Sequence, residues 1–101
     1  MHRRFNDMSN DNINISEAEL EIMKVLWHSD EPVTAQDVSK ILKNKEWKYS
    51  TIATLFGRMV EKGTVTYEKR GRFFHYTPTI SESEYKTNQT KKFISKLYNG
   101  S

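Results

Sequence analysis

"WKYSTIATLFGRMVEKG", Trp47 to Gly63, carries Ile52, Leu55, Phe56, Met59 and Val60 at i, i+3, i+4, i+7 and i+8, one complete apolar stripe of an amphipathic helix. Gly63, directly after Lys62, is placed to stop it. On the helical wheel the opposite face is Ser50, Thr54, Gly57, Arg58 and Glu61, with Thr51 and Ala53 at the margins. Solvent-facing helix surfaces are ordinarily filled with long Lys and Glu side chains. This one is small and hydroxyl-rich with a single arginine, so something other than water is expected to lie against it.

Working outward, "ISEAELEIMKVLW" announces an earlier helix: Ser16 caps, Glu19 completes a capping box, and Ile15 supplies the apolar residue before the cap. Leu20, Met23, Leu26 and Trp27 give it a core face. Its crowded glutamates, Glu17, Glu19 and Glu21, suit the helix dipole, and no partner constellation makes them an acid–base pair. In "HSDEPVTAQDVSKILKNK" a breaker run precedes Val33, a short extended segment, and Thr34 with Asp37 restarts a helix over about residues 35–43 with Val38, Ile41 and Leu42 as its stripe. After Gly63, "TVTYEKRGRFFHYTP" alternates around a turn. Val65 and Tyr67 share a face of one strand, Phe73 or Phe74 with Tyr76 supplies the other, and Gly71 is free to take positive φ at a tip carrying Lys69, Arg70 and Arg72. Ser81, with Glu84 three residues on, opens a fourth helix to about Tyr98, whose apolar members are Tyr85, Phe93, Ile94, Leu97 and Tyr98. Residues 1–12, "MHRRFNDMSNDN", lack periodicity and read as a flexible arm, with residues 13–79 as the domain and residues 80–101 as a C-terminal helix.

Composition narrows the chemistry. The chain has 101 residues, 36% hydrophobic and 29% charged, enough for a single modest core. No apolar run approaches the roughly 20 residues of a membrane span, and no signal-type segment follows Met1, so a cytoplasmic protein with no membrane partner is expected. Without cysteine there are no disulfides, thiol nucleophiles or thiolate metal sites, and His2, His28 and His75 are in no ligand spacing, so no metal or other cofactor is expected in this chain. No nucleophile–base pair, P-loop or glycine fingerprint is present, which argues against an enzyme. The net charge of +3 is unevenly spread: residues 13–42 hold two Lys/Arg against six Asp/Glu, and residues 43–78 hold eight against three. A basic half beside an acidic half points to a polyanion.

Three helices, the third bare on its outer face, then a hairpin with a cationic tip, is the order of a winged helix-turn-helix: mainly α with a small β-hairpin wing and a C-terminal fourth helix. In such a domain the third helix enters the major groove, where short side chains let its backbone approach the base edges. Ser50, Thr51 and Thr54 can bond bases or phosphates, Arg58 can pair with guanine or phosphate, Lys48 and Tyr49 sit at the helix entrance where phosphates gather, and Lys69, Arg70 and Arg72 reach phosphates from the wing. The competing class is a protein-interaction winged helix using Phe73, Phe74 and the fourth helix.

From "ISEAELEIMKVLW" through "VTAQDVSKIL", "EWKYSTIATLFGRMVEKG" and "TYEKRGRFFHYTP" to "FISKLYNG", the chain resembles the BlaI/MecI/CopY repressors along essentially all of residues 15–100, and the spelling of the third helix is most like the copper-responsive CopY branch of Gram-positive bacteria. The resemblance implies a domain that binds double-stranded operator DNA at a TACA/TGTA-type inverted repeat as a homodimer, repressing a copper-homeostasis operon. It implies the recognition positions Lys48, Tyr49, Ser50, Thr51, Thr54 and Arg58. In the copper branch a cysteine-bearing C-terminal region holds copper or zinc, and in the β-lactam branch the C-terminal region dimerises and is cut by a sensor protease. This chain has no cysteine, so the resemblance leads us to expect a monomeric DNA-binding fragment whose sensing and most dimerising parts lie outside it.

Overall fold

The computed structural model describes residues 14–99, and the arm expected over residues 1–12 lies outside them. Ser16 begins the first helix by the reciprocal cap its sequence predicts: its hydroxyl accepts from the Glu19 amide at 3.2 Å, and Glu19 accepts from the Ser16 amide at 3.3 Å. Helix α1 then runs Glu17–Trp27. Thr34 and Asp37 repeat the device for α2, Ala35–Ile41. A single 3-10 turn, Lys43–Lys45, leads to α3, Tyr49–Lys62. Strands β1, Val65–Arg70, and β2, Phe73–Pro78, form an antiparallel pair, and α4, Glu82–Asn99, follows a third capping box in which Glu84 accepts from the Ser81 amide at 2.8 Å.

Two helix boundaries differ from the periodicity. Helix α3 starts at Tyr49 rather than Trp47, because Glu46 takes a left-handed φ of 58° and Lys48 is extended, which frees the half-buried Trp47 ring to lie against the core. Helix α2 stops at Ile41, and Ile41, expected within its stripe, is 57% exposed. Val38 and the cap residue Leu42 face inward as expected, and Ala35 joins them.

The core is drawn from the first three helices, β1 and two links: Ile22, Met23, Val25 and Leu26 of α1, Val33 before α2, Ala35 and Val38 of α2, Ile52, Leu55, Phe56 and Met59 of α3, Val65 of β1, and Ile80 after β2. Helix α1 buries a wider face than its expected stripe, adding Ile22 and Val25, because α2, α3 and β2 all pack against it. Each of these side chains other than Ala35 contributes about 1.5–3 kcal/mol when fully withdrawn from water. The extended Val33 joins the hairpin as a one-residue third strand: its amide donates to the Tyr76 carbonyl at 3.0 Å and its carbonyl accepts from the Tyr76 amide at 2.8 Å. Gly63 ends α3 in the left-handed region at φ 84°, and Gly71 takes φ 63° as the first of the two residues that turn the hairpin.

Glu19 has a second role beyond capping. It is 1% exposed, and both its carboxylate oxygens accept from Lys62 Nζ, at 2.9 and 3.1 Å, while the same ammonium donates to the Asn14 carbonyl at 2.7 Å. The last residue of α3 is thereby tied to the first turn of α1. A buried carboxylate left without its cation is a large penalty. Lys62→Met is therefore expected to lower the unfolding free energy by about 2–3 kcal/mol, less than for a fully enclosed pair because Lys62 reaches solvent, and Glu19→Gln in the same chain is expected to recover part of it. Urea denaturation of the two single variants and the double variant measures this.

Candidate nucleic-acid interface

With its apolar stripe buried, α3 turns Ser50, Thr51, Ala53, Thr54, Gly57, Arg58 and Glu61 to solvent together, and Lys48 and Tyr49 are exposed at its start. Gly57 lies at the centre of this face, and a Cβ added there would meet nothing within 4 Å. Among the described residues no packing calls for glycine at that position, although glycine in a helix interior is about 0.5–1 kcal/mol less favourable than alanine. The start of α3 differs from those of the other three helices. Each of those has a side-chain cap, whereas Lys48 provides none; its carbonyl accepts from the Thr51 and Ile52 amides, and the Tyr49 and Ser50 amides are left without a side-chain cap at the positive end of the helix dipole.

The wing stands beside α3 and is held to it by aromatic packing. The Tyr76 ring stacks on Phe56 of α3 with centroids 3.8 Å apart and planes 5° from parallel. The pairings Val65↔Pro78, Tyr67↔Tyr76 and Lys69↔Phe74 place these six residues on the side of the hairpin that faces α3. This settles the alternatives for β2: Phe74 joins Tyr76 on the inner side and Phe73 belongs to the outer side. The tip cations are divided in the same way. Lys69 is on the inner side with its Nζ 5.9 Å from the Phe74 centroid, Arg70 is on the outer side and pairs with Glu68 at 3.2 Å, and Arg72 lies in the turn.

Lys43 and Lys45, both exposed on the 3-10 turn that delivers the chain into α3, add positive charge beside Lys48. The density of lysine in "KNKEWK" was the available signal for them. Lys62, counted in the basic half, is engaged inside the fold by Glu19. An open cleft of about 620 Å³ lies elsewhere, between the α1–α2 turn, the end of β2 and the start of α4. Its margin carries Asp30, Glu31, Glu82 and Glu84, the wrong sign for a polyanion, and no residue of α3 reaches it. Among the described residues no group of three His, Cys, Asp or Glu could hold a metal ion, so these residues do not fit a metal centre. Among them, too, no helix is long and apolar enough to cross a membrane.

A protein-family profile, the penicillinase repressor, matches residues 15–101. The chain is 40% identical to the penicillinase repressor of Bacillus licheniformis over 86 residues, 85% of this chain and 67% of that protein. It is 33% identical to the methicillin resistance regulatory protein MecI of Staphylococcus aureus over 93 residues, 92% of this chain and 76% of that protein. Among solved structures, the DNA-binding domain of the repressor BlaI superposes with a TM-score of 0.64 at 44% identity, covering 71% of this chain and 88% of that one.

The junction between α3 and the wing has a signature in alkali. Burial pushes the Tyr76 phenol above its usual value near 10, and the neighbouring Tyr49 and Tyr67 add to the shift. A phenol whose pKa is higher folded than unfolded contributes stability that is complete below about pH 10 and is lost as pH rises through the folded value. Unfolding free energy measured in urea between pH 8 and 11 is expected to fall above about pH 10, with Tyr76→Phe removing part of that fall.

Proposed function

The chain belongs to the penicillinase repressor family, and on that premise we propose that it represses transcription by reading an operator sequence, with α3 in the major groove and the wing against flanking phosphates. The observation that carries the reading is the bare outward face of α3 centred on Gly57, where none of the described residues occupies the space a side chain would take. A base edge pressed close to the helix backbone uses that space. Ser50, Thr51 and Thr54 then meet bases or phosphates, Arg58 presents a planar donor pair suited to guanine, and the uncapped amides at the start of α3, with Lys43, Lys45 and Lys48, receive a phosphate.

The operator we propose is a TACA/TGTA-type inverted repeat, one chain occupying each half-site. A single unlinked chain binds its half-site weakly, because the gain from a tethered second domain is missing. The spelling of the recognition helix favours a copper-homeostasis operon. The identity to penicillinase and methicillin-resistance regulators favours a second reading, a β-lactam-resistance operon. Competition between duplexes from the two promoter types separates these readings.

Fluorescence anisotropy on operator and scrambled duplexes tests the proposal. Arg58→Ala is expected to weaken operator binding by about tenfold to a hundredfold and scrambled binding far less, whereas Arg72→Ala weakens both and lowers the salt slope by about 0.9. Gly57→Ala is expected to raise the unfolding free energy by about 0.5–1 kcal/mol while weakening the operator complex, opposite signs that a purely structural glycine would not produce. Equal losses on both duplexes for Arg58→Ala would overturn base readout by this helix.

A further inference from the structure

One residue on the outward face of α3 carries the charge a polyanion repels. Ser50, Thr54, Gly57 and Glu61 fall within about 60° of one another around the helix, with Glu61 near the middle of that arc. The Glu61 carboxylate is exposed, and among the described residues it has neither an ion pair nor a hydrogen bond. Arg58, three residues before it, is equally unengaged. The other two acids of residues 43–78 lie off this face: Glu46 precedes the helix, and Glu68 is held by Arg70 on the outer side of the wing.

Gly57 decides how near that carboxylate comes to its surroundings. A helix whose backbone meets a base edge at Gly57 carries Glu61 one turn further on, about 6 Å along the axis, so its side chain is held against the same groove. A carboxylate taken out of water beside phosphates is strongly disfavoured unless it finds a donor. The major groove has two, the amino groups of adenine and of cytosine. Adenine sets its N7 acceptor beside the amino group, where it opposes a carboxylate, whereas cytosine presents the amino donor alone. The acceptors next to the cytosine belong to the paired guanine, and the planar guanidinium of Arg58 suits those.

Resting on the repressor reading, we infer that Glu61 is a specificity-determining residue whose carboxylate accepts a hydrogen bond from a cytosine amino group in the major groove. Where no cytosine lies beneath it, the same carboxylate is left without a donor and repels the DNA. Glu61 therefore strengthens the operator complex and weakens binding to other sequences, so discrimination comes from both terms.

The test is anisotropy titration of labelled duplexes, with thermal unfolding of each variant to show that the fold is kept. Each operator cytosine is replaced in turn by its analogue lacking the 4-amino group, the guanine opposite being retained so that Arg58 keeps its acceptors. The wild-type chain is expected to bind one of these duplexes about tenfold more weakly than the unmodified operator, and Glu61→Ala to bind the two equally. Glu61→Ala is also expected to bind scrambled duplex about threefold to tenfold more tightly, having lost a charge that phosphates repel. Glu61→Gln, whose amide carbonyl still accepts, is expected to keep the preference for the amino group while binding scrambled duplex more tightly. If the wild-type chain prefers operator to scrambled duplex but is indifferent to every 4-amino group, or if its preference survives Glu61→Ala, the inference is overturned and Glu61 only repels the backbone. If the wild-type chain binds operator and scrambled duplex alike, it is the repressor reading that fails.

Discussion

A tyrosine ring lies flat on a phenylalanine ring, Tyr76 on Phe56, in the seam where the wing meets α3. The two rings come from opposite ends of the folding problem: Phe56 from a local helical stripe, Tyr76 from a strand whose position depends on a hairpin closing. Tyr76 also exchanges both backbone hydrogen bonds with Val33, so the segment between α1 and α2 is registered on the same residue. Helix, hairpin and interhelical loop are thus located by one side chain and its own peptide groups. Tilting the hairpin away from α3 would separate two aromatic faces and expose Phe56, which is fully buried.

What this packing achieves is a helix that is constrained on one side and unoccupied on the other. Along its length α3 is held by Ile52, Leu55, Phe56 and Met59, and at its end by Lys62 on Glu19. Two nearby cations are engaged elsewhere: the Lys62 ammonium is drawn inward, and Arg70, placed by strand alternation on the far side of the wing, pairs with Glu68 there. The cations left facing outward cluster before the first turn, on Arg58, and along the inner wing.

Much of this was legible in the sequence because it is local. A serine or threonine followed three residues later by a carboxylate marked all three reciprocal caps, five apolar residues at helical spacing marked α3, and Gly63 and Gly71 marked its stop and the hairpin turn. What was not legible depends on pairs distant in the chain. Alternation puts Phe74 with Tyr76 and Phe73 opposite them, but which of the two sides faces α3 is decided by the contact of Tyr76 with Phe56, twenty positions away. Ile41 satisfies helical spacing and still points to water, because α2 ends there, while Val38 and Leu42 of the same stripe face inward. Glu19 is fully explained as a capping residue by its neighbours, and nothing local reveals that Lys62, 43 positions away, shares it.

The short link from β2 to α4 is fastened at every residue. The Thr79 amide donates to the Thr64 carbonyl at 2.9 Å and its hydroxyl to the Gly63 carbonyl at 2.6 Å, the Trp27 indole donates to the Ile80 carbonyl at 2.9 Å, and Ser81 caps the helix that follows. No glycine interrupts the chain between Gly71 and Gly100, and the Tyr85 ring rests 5.7 Å from that of Trp27. The consequence is geometric: α4, about 27 Å long, leaves the domain from a base fixed on the residue that ends α3. Its near end is thereby seated on the residue that ends α3, while its far end, around Phe93 and Leu97, stands exposed to solvent.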